Sequence, residues 1–141
     1  MGVWNLIHGY LATRKTNFIN TVTSQRVKQI EQLIQDISSF SGLTYTWCFS
    51  EIEGKPQEYE ILKEFDRLRH VILLRLNPAG KHDQRIEQLI AEIPKLTHIS
   101  RREQLTNALE ELTITTQKLL KEEWDKVEFE VEHGNIKKDK K

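Results

Sequence analysis

The feature that most constrains the fold is an apolar stripe with helical spacing in the first half of the chain. Its members lie three or four residues apart: Val27, Ile30, Ile34, Ile37 and Phe40. This spacing places side chains on one face of an α-helix. The positions between them predict a solvated opposite face, occupied by Lys28, Glu31, Gln32, Gln35 and Asp36. The pattern therefore predicts a long amphipathic helix that begins near Ser24.

This first helix is expected to continue past Gly42 to about Phe49. Glycine inside a helix costs about 1 kcal/mol relative to alanine. Leu43 and Trp47 nevertheless keep the register of the apolar stripe on the far side of the glycine. We therefore expect tertiary packing to carry the helix through this position.

A second apolar stripe follows a turn around Gly54 and Pro56. It comprises Ile61, Phe65, Leu68, Ile72 and Leu76, and it is widened by Leu62, Val71 and Leu74. Broad apolar coverage predicts that this helix lies at the centre of a bundle. Pro78 disfavours helical geometry at Asn77 and should end the helix there.

Two more helices are predicted in the second half of the chain. A short one spans residues 83–93, and a long one begins near Ser100, which has capping-box spacing to Glu103, and ends at Gly134. We predict an all-α fold: an elongated antiparallel bundle of three long helices plus one short helix, with an N-terminal amphipathic helical extension. Residues 1–23 would form the extension, residues 24–133 the bundle, and residues 134–141 a disordered basic tail.

The N-terminal extension is the predicted partner-binding segment. Its single apolar face consists of Val3, Trp4, Ile7, Tyr10 and Leu11. A helix this short is marginal in water and needs a surface to lie on. We therefore expect these residues to bind a protein partner or another copy of the same chain.

Composition argues against several classes of function. Lys plus Arg and Asp plus Glu both number 21, so the chain has no basic excess and we expect no nucleic-acid partner. The lone Cys48 allows no disulfide within one chain and is typical of the reducing cytoplasm, where we place the protein. Arg14 and Lys15 are too few cations near the apolar segment to favour membrane association, which remains an alternative.

Three residue pairs are candidates for catalytic or metal sites. Arg75 and His82 have the loose spacing of HEPN ribonucleases, but Pro78 and Gly80 lie between them. Glu130 and His133 form one Glu-x-x-His unit, whereas a di-iron site needs two. His82-Asp83 is similar to a phosphohydrolase dyad without its further ligands. We therefore predict no catalytic residues, no metal site and no cofactor, with a HEPN-like ribonuclease as the alternative.

Three segments resemble a widespread group of uncharacterised small bacterial and phage helical proteins. They are Ser24 to Leu33, Arg69 to Pro78 and Leu119 to Val127. Many members of that group begin with a transmembrane helix, which here is reduced to a short amphipathic segment, and Gln29 stands where the group usually has Trp. The resemblance implies a helical module whose N-terminal segment binds to another surface. It implies no enzymatic reaction.

These observations favour a non-enzymatic protein–protein interaction module. The expected setting is an accessory subunit of a larger bacterial or phage-related assembly, and host defence is one such setting. The alternatives from other classes are the HEPN-like ribonuclease and a peripheral membrane-associated protein.

Overall fold

Four α-helices make up most of the chain in a computed structural model that describes the backbone of residues 17–133 and the side chains of residues 21–133. They are α1 (Asn17–Phe49), α2 (Glu58–Arg75), α3 (Lys81–Glu92) and α4 (Arg102–His133). Two 3-10 turns, Ile93–Leu96 and Ile99–Arg101, connect α3 to α4. The described residues contain no strand, and the predicted all-α fold with three long helices and one short helix is confirmed.

The predicted partner-binding residues lie outside this description. They are Val3, Trp4, Ile7, Tyr10 and Leu11. The tail predicted for residues 134–141 also falls outside it. Helix α1 runs without a break across residue 23, where the sequence suggested the end of the extension.

Helix α1 continues through Gly42 as predicted. The hydroxyl of Thr44 donates a hydrogen bond to the carbonyl oxygen of Phe40 at 2.6 Å, and Thr44 is fully buried. A threonine can remain inside a helix when its hydroxyl is satisfied by the carbonyl four residues earlier. The polar run after Gly42 is therefore compatible with helix because its buried hydroxyl has a local acceptor.

The turn between α1 and α2 depends on two residues in the left-handed region. Glu51 has φ 49° and Gly54 has φ 80°. The backbone N–H of Gly54 donates to the carboxylate of Glu58 at 2.7 Å, which links the turn to the first residue of α2. Helix α2 thus begins at Glu58, directly after the predicted turn around Gly54 and Pro56.

Asp83 organises the loop between α2 and α3. Its carboxylate accepts a hydrogen bond from the backbone N–H of Asn77 at 2.7 Å. The other carboxylate oxygen lies so close to Gly80 that a Cβ at that position would be 2.1 Å from it. A side chain at position 80 would therefore force Asp83 to rotate and give up its bond to the loop.

The start of the last helix differs from the predicted capping box. His98, not Ser100, supplies the cap: its ring Nδ1 accepts a hydrogen bond from the backbone N–H of Ser100 at 3.1 Å. A 3-10 turn then leads into α4 at Arg102. The imidazole replaces the predicted serine hydroxyl as the acceptor for an otherwise unpaired backbone N–H.

The described residues divide into two compact units. In the larger, residues 32–119, contacts pair Asp36 with Arg75 and Phe40 with Phe65, so α1 and α2 are antiparallel there. Its buried core is drawn from all four helices and includes Leu33, Ile37, Leu68, Ile72, Ile86, Ile90, Leu105 and Leu112. The smaller unit, residues 17–31 and 120–133, has a core of Val27, Ile30 and Val127.

Three predictions about burial are wrong. Ile34, assigned to the apolar stripe of α1, is 38% exposed. Asp36, assigned to the solvated face, is buried because it pairs with Arg75. Helix α2 is not covered all round, since Leu62 is 42% exposed and Leu74 is 86% exposed. The excess apolar residues of α2 therefore form a surface and do not extend the core.

Candidate functional site

Large apolar side chains are exposed on one side of α2, which we call the α2 outer face. It comprises Tyr59, Leu62, Leu73 and Leu74, which are 70%, 42%, 38% and 86% exposed. Single exposed apolar residues are ordinary on soluble proteins, whereas several on one element mark interaction surfaces. Leu74 is the clearest case, because nearly all of its side chain is exposed to solvent.

Two residues of opposite charge, Asp66 and Arg69, lie at the middle of the same face. Leu62, Asp66, Arg69 and Leu73 follow at intervals of four, three and four residues, so they line one side of the helix. Arg69 donates to the carboxylate of Asp66 at 3.3 Å. The Asp66 side chain is 59% exposed and that of Arg69 is 35% exposed, so both charges remain open to a further partner.

A neighbouring ion pair on α2, between Arg67 and Glu64, already has two hydrogen bonds within the helix. The guanidinium of Arg67 donates two hydrogen bonds to Glu64, at 2.6 and 3.0 Å. These bonds lower the pKa of the Glu64 carboxyl, since they stabilise its charged form. The cation of Arg67 is thus already occupied within its own helix, unlike the more loosely paired Arg69.

The structure places the two candidate ribonuclease residues on different helices. Arg75 ends α2, and its Nε donates to Asp36 of α1 at 2.9 Å. His82 lies in the first turn of α3, beyond the loop that Asp83 holds. The two residues therefore do not share one helix end.

The two residues of the Glu-x-x-His unit, Glu130 and His133, contact different partners. His133 stacks on Phe129, with ring centroids 4.2 Å apart. Glu130 is fully buried and forms an ion pair with Arg26 at 2.9 Å, while the hydroxyl of Thr23 donates to its other oxygen at 3.1 Å. The sequence could not reveal this polar group, because Thr23 and Arg26 are more than a hundred positions away from Glu130.

Cys48 is a packed thiol. It is 1% exposed, and its sulfur lies 3.7 Å from the carbonyl oxygen of His98. Burial raises the pKa of the thiol, and the positive charge of Arg102 opposes this effect only in part. The thiol therefore stays protonated at neutral pH, which is the unreactive form.

A shallow cleft of about 370 Å³ lies between α3 and α4 in the larger unit. Its lining combines apolar residues, Leu89, Leu96 and Ala108, with polar ones that include Glu92 and Gln104. The one guanidinium in the cleft, that of Arg85, is bound by both carboxylate oxygens of Glu111. Because these charges neutralise each other, the cleft offers no free charge from this pair for a ligand.

Within residues 17–133, no group of three or more His, Cys, Asp or Glu side chains is arranged to hold a metal ion. None of the helices in that stretch combines the length and apolar character needed to cross a bilayer.

Comparison with known proteins gives no relative from which a role could be transferred. No family model, no curated protein and no solved structure matches this chain. The α2 outer face is therefore the candidate site on its own geometry. Sequence reasoning missed it by treating the broad apolar coverage of α2 as core. The signal was present, because Leu73 and Leu74 lie out of register with the buried stripe of Phe65, Leu68 and Ile72.

Proposed function

We propose that this chain is a non-enzymatic protein–protein interaction module, an accessory subunit of a larger bacterial or phage-related assembly. The observation that carries the proposal is the α2 outer face, where an 86% exposed leucine lies beside further exposed apolar side chains. Covering such residues is favourable by roughly 25 cal/mol for each Å² of apolar surface removed from water. An exposed apolar surface of this kind is suited to binding a partner protein. The apolar residues among positions 3–11 would make a second contact with that partner.

A substitution on the α2 outer face tests the module directly. The double variant Leu73→Lys, Leu74→Lys places two charges where the partner would bury leucines, and Lys near the end of a helix is favourable to its dipole. We expect the fold to be retained and association to be lost. Association would be measured by sedimentation of the purified protein and by quantitative pull-down from native cells.

The matched control is Ile114→Lys, which changes a 44% exposed apolar residue on α4. It should leave association unchanged, because the residue lies on a different helix. If parent, double variant and control all associate equally, the α2 outer face is not the binding surface.

A test of RNA cleavage separates the module from the ribonuclease hypothesis. The purified chain is expected to cleave no RNA, and His82→Ala should fold and associate like the parent. The physical reason is that Arg75 is engaged by Asp36 and does not share a helix end with His82. Cleavage of a labelled RNA by the parent that is abolished in His82→Ala would overturn the module and establish an enzyme.

A further inference from the structure

We infer that the partner of the α2 outer face is α2 of a second copy of this chain, packed antiparallel across a two-fold axis. This inference rests on the proposed function and names its partner. It is carried by the order of charges and leucines along the face: Leu62, Asp66, Arg69 and Leu73.

The spacing of these residues is that of a coiled-coil seam. Intervals of four, three and four residues repeat the a and d positions of a heptad, and Tyr59 extends the seam by one more step towards the start of the helix. All five side chains are at least partly exposed, with Leu73 at 38% and Leu62 at 42%. A second helix can therefore reach them without displacing the core.

Charge complementarity selects the antiparallel direction. When two such helices run antiparallel with a two-fold axis between residues 67 and 68, Leu62 of one copy faces Leu73 of the other. The same register brings Asp66 opposite Arg69 of the second copy, and symmetry makes each of these contacts twice. At both ends of the seam, Leu62 of one copy then packs on Leu73 of the other. The two central layers are ion pairs between Asp66 of one copy and Arg69 of the other.

Other arrangements place like charges together. In a parallel, in-register pair, Asp66 would face Asp66 and Arg69 would face Arg69 across the interface. An antiparallel pair centred on residue 66 would also oppose two copies of Asp66. Like charges facing one another across an interface are strongly unfavourable, so the pattern specifies one register and rejects its competitors.

The loose intrachain pair at 3.3 Å is consistent with this role. Arg69 reaches Asp66 with one terminal nitrogen only, and although its Nε is buried, 35% of the side chain is exposed. Arg67, in contrast, is fully committed to Glu64 by two bonds. Arg69 and Asp66 are therefore the charges of this face that remain available for a second copy.

A charge-swap experiment tests the inference with the full-length chain. Asp66→Arg gives a copy with two cations in the centre of the seam, and Arg69→Asp gives a copy with two anions. Each variant alone should self-associate at least about tenfold more weakly than the parent in sedimentation equilibrium. An equimolar mixture should form a heterodimer, because the cations of one copy now face the anions of the other. Circular dichroism would check that both variants fold.

The outcomes separate this inference from the proposed function. A parent that self-associates while the mixture remains monomeric would show that the antiparallel seam is wrong. A monomeric parent would overturn the second copy as partner, and the module would still stand if Leu73→Lys, Leu74→Lys lost a cellular partner. A monomeric parent whose pull-down is unchanged by that double variant would overturn both. Self-association that persists unchanged in Asp66→Arg would assign it to another surface.

Discussion

Phe65→Ala is expected to lower the free energy of unfolding by about 3–5 kcal/mol. Phe65 is 5% exposed, and its ring stacks on that of Phe40 with centroids 4.9 Å apart. Truncation would leave a cavity where α1 and α2 meet, and the surrounding helices could close it only in part. Urea unfolding followed by far-UV circular dichroism would measure the change.

Tyr59→Ala is the matched control for this effect. It removes an aromatic ring from the same helix at a position that is 70% exposed, so the free energy of unfolding should change by less than about 0.5 kcal/mol when it is measured at protein concentrations low enough to keep the chain monomeric. Equal effects for Tyr59 and Phe65 would mean that the burial pattern of α2 is incorrect.

Arg26→Met should destabilise the smaller unit by about 3–5 kcal/mol. Glu130 is fully buried, and its ion pair with Arg26 at 2.9 Å is its principal compensation. Without the guanidinium, the hydroxyl of Thr23 would still donate to the carboxylate, but the charge of Arg26 that balances it would be gone. Glu123, the other partner of Arg26, would be affected less because Lys126 also pairs with it. Hydrogen exchange of residues 120–133 would report the loss where it occurs.

A second substitution identifies the cause. Adding Glu130→Gln to Arg26→Met removes the uncompensated charge and keeps an oxygen to accept from Thr23, so most of the lost stability should return. Arg67→Met, which breaks an exposed pair within one helix, should cost only a few tenths of a kcal/mol. If the double variant were no more stable than Arg26→Met, packing of the arginine chain would be the cause instead of the buried charge.

The helices could be predicted because their signals are local. The three-and-four spacing from Val27 to Phe40 and from Phe65 to Leu76 is a property of neighbouring residues, and the structure contains both helices. The Asn77-Pro78 stop was equally local: α2 ends at Arg75, and Leu76 is already extended. The helical spacing of the apolar residues was therefore enough to predict the all-α fold.

The placement of charges could not be predicted, because it depends on which helices meet. Asp36 has the sequence neighbours of a surface residue, but it is buried because Arg75, thirty-nine positions later, donates a hydrogen bond to it. Glu130 gained its role from Arg26 in the same way. Leu74 differs from these charges, because its position out of register with Phe65, Leu68 and Ile72 was already a local sign that it lies outside the core.

The close approach of Asp83 to Gly80 has a consequence for how such a chain can vary. The glycine is required only as long as the carboxylate occupies the space where a Cβ would lie. A related chain that exchanges Asp83 for a residue unable to bind the Asn77 N–H would be released from the restriction at position 80. The two positions should therefore be kept or lost together during divergence. A related chain that still carries Asp83 should also carry the glycine three residues before it, even where the helix surfaces differ.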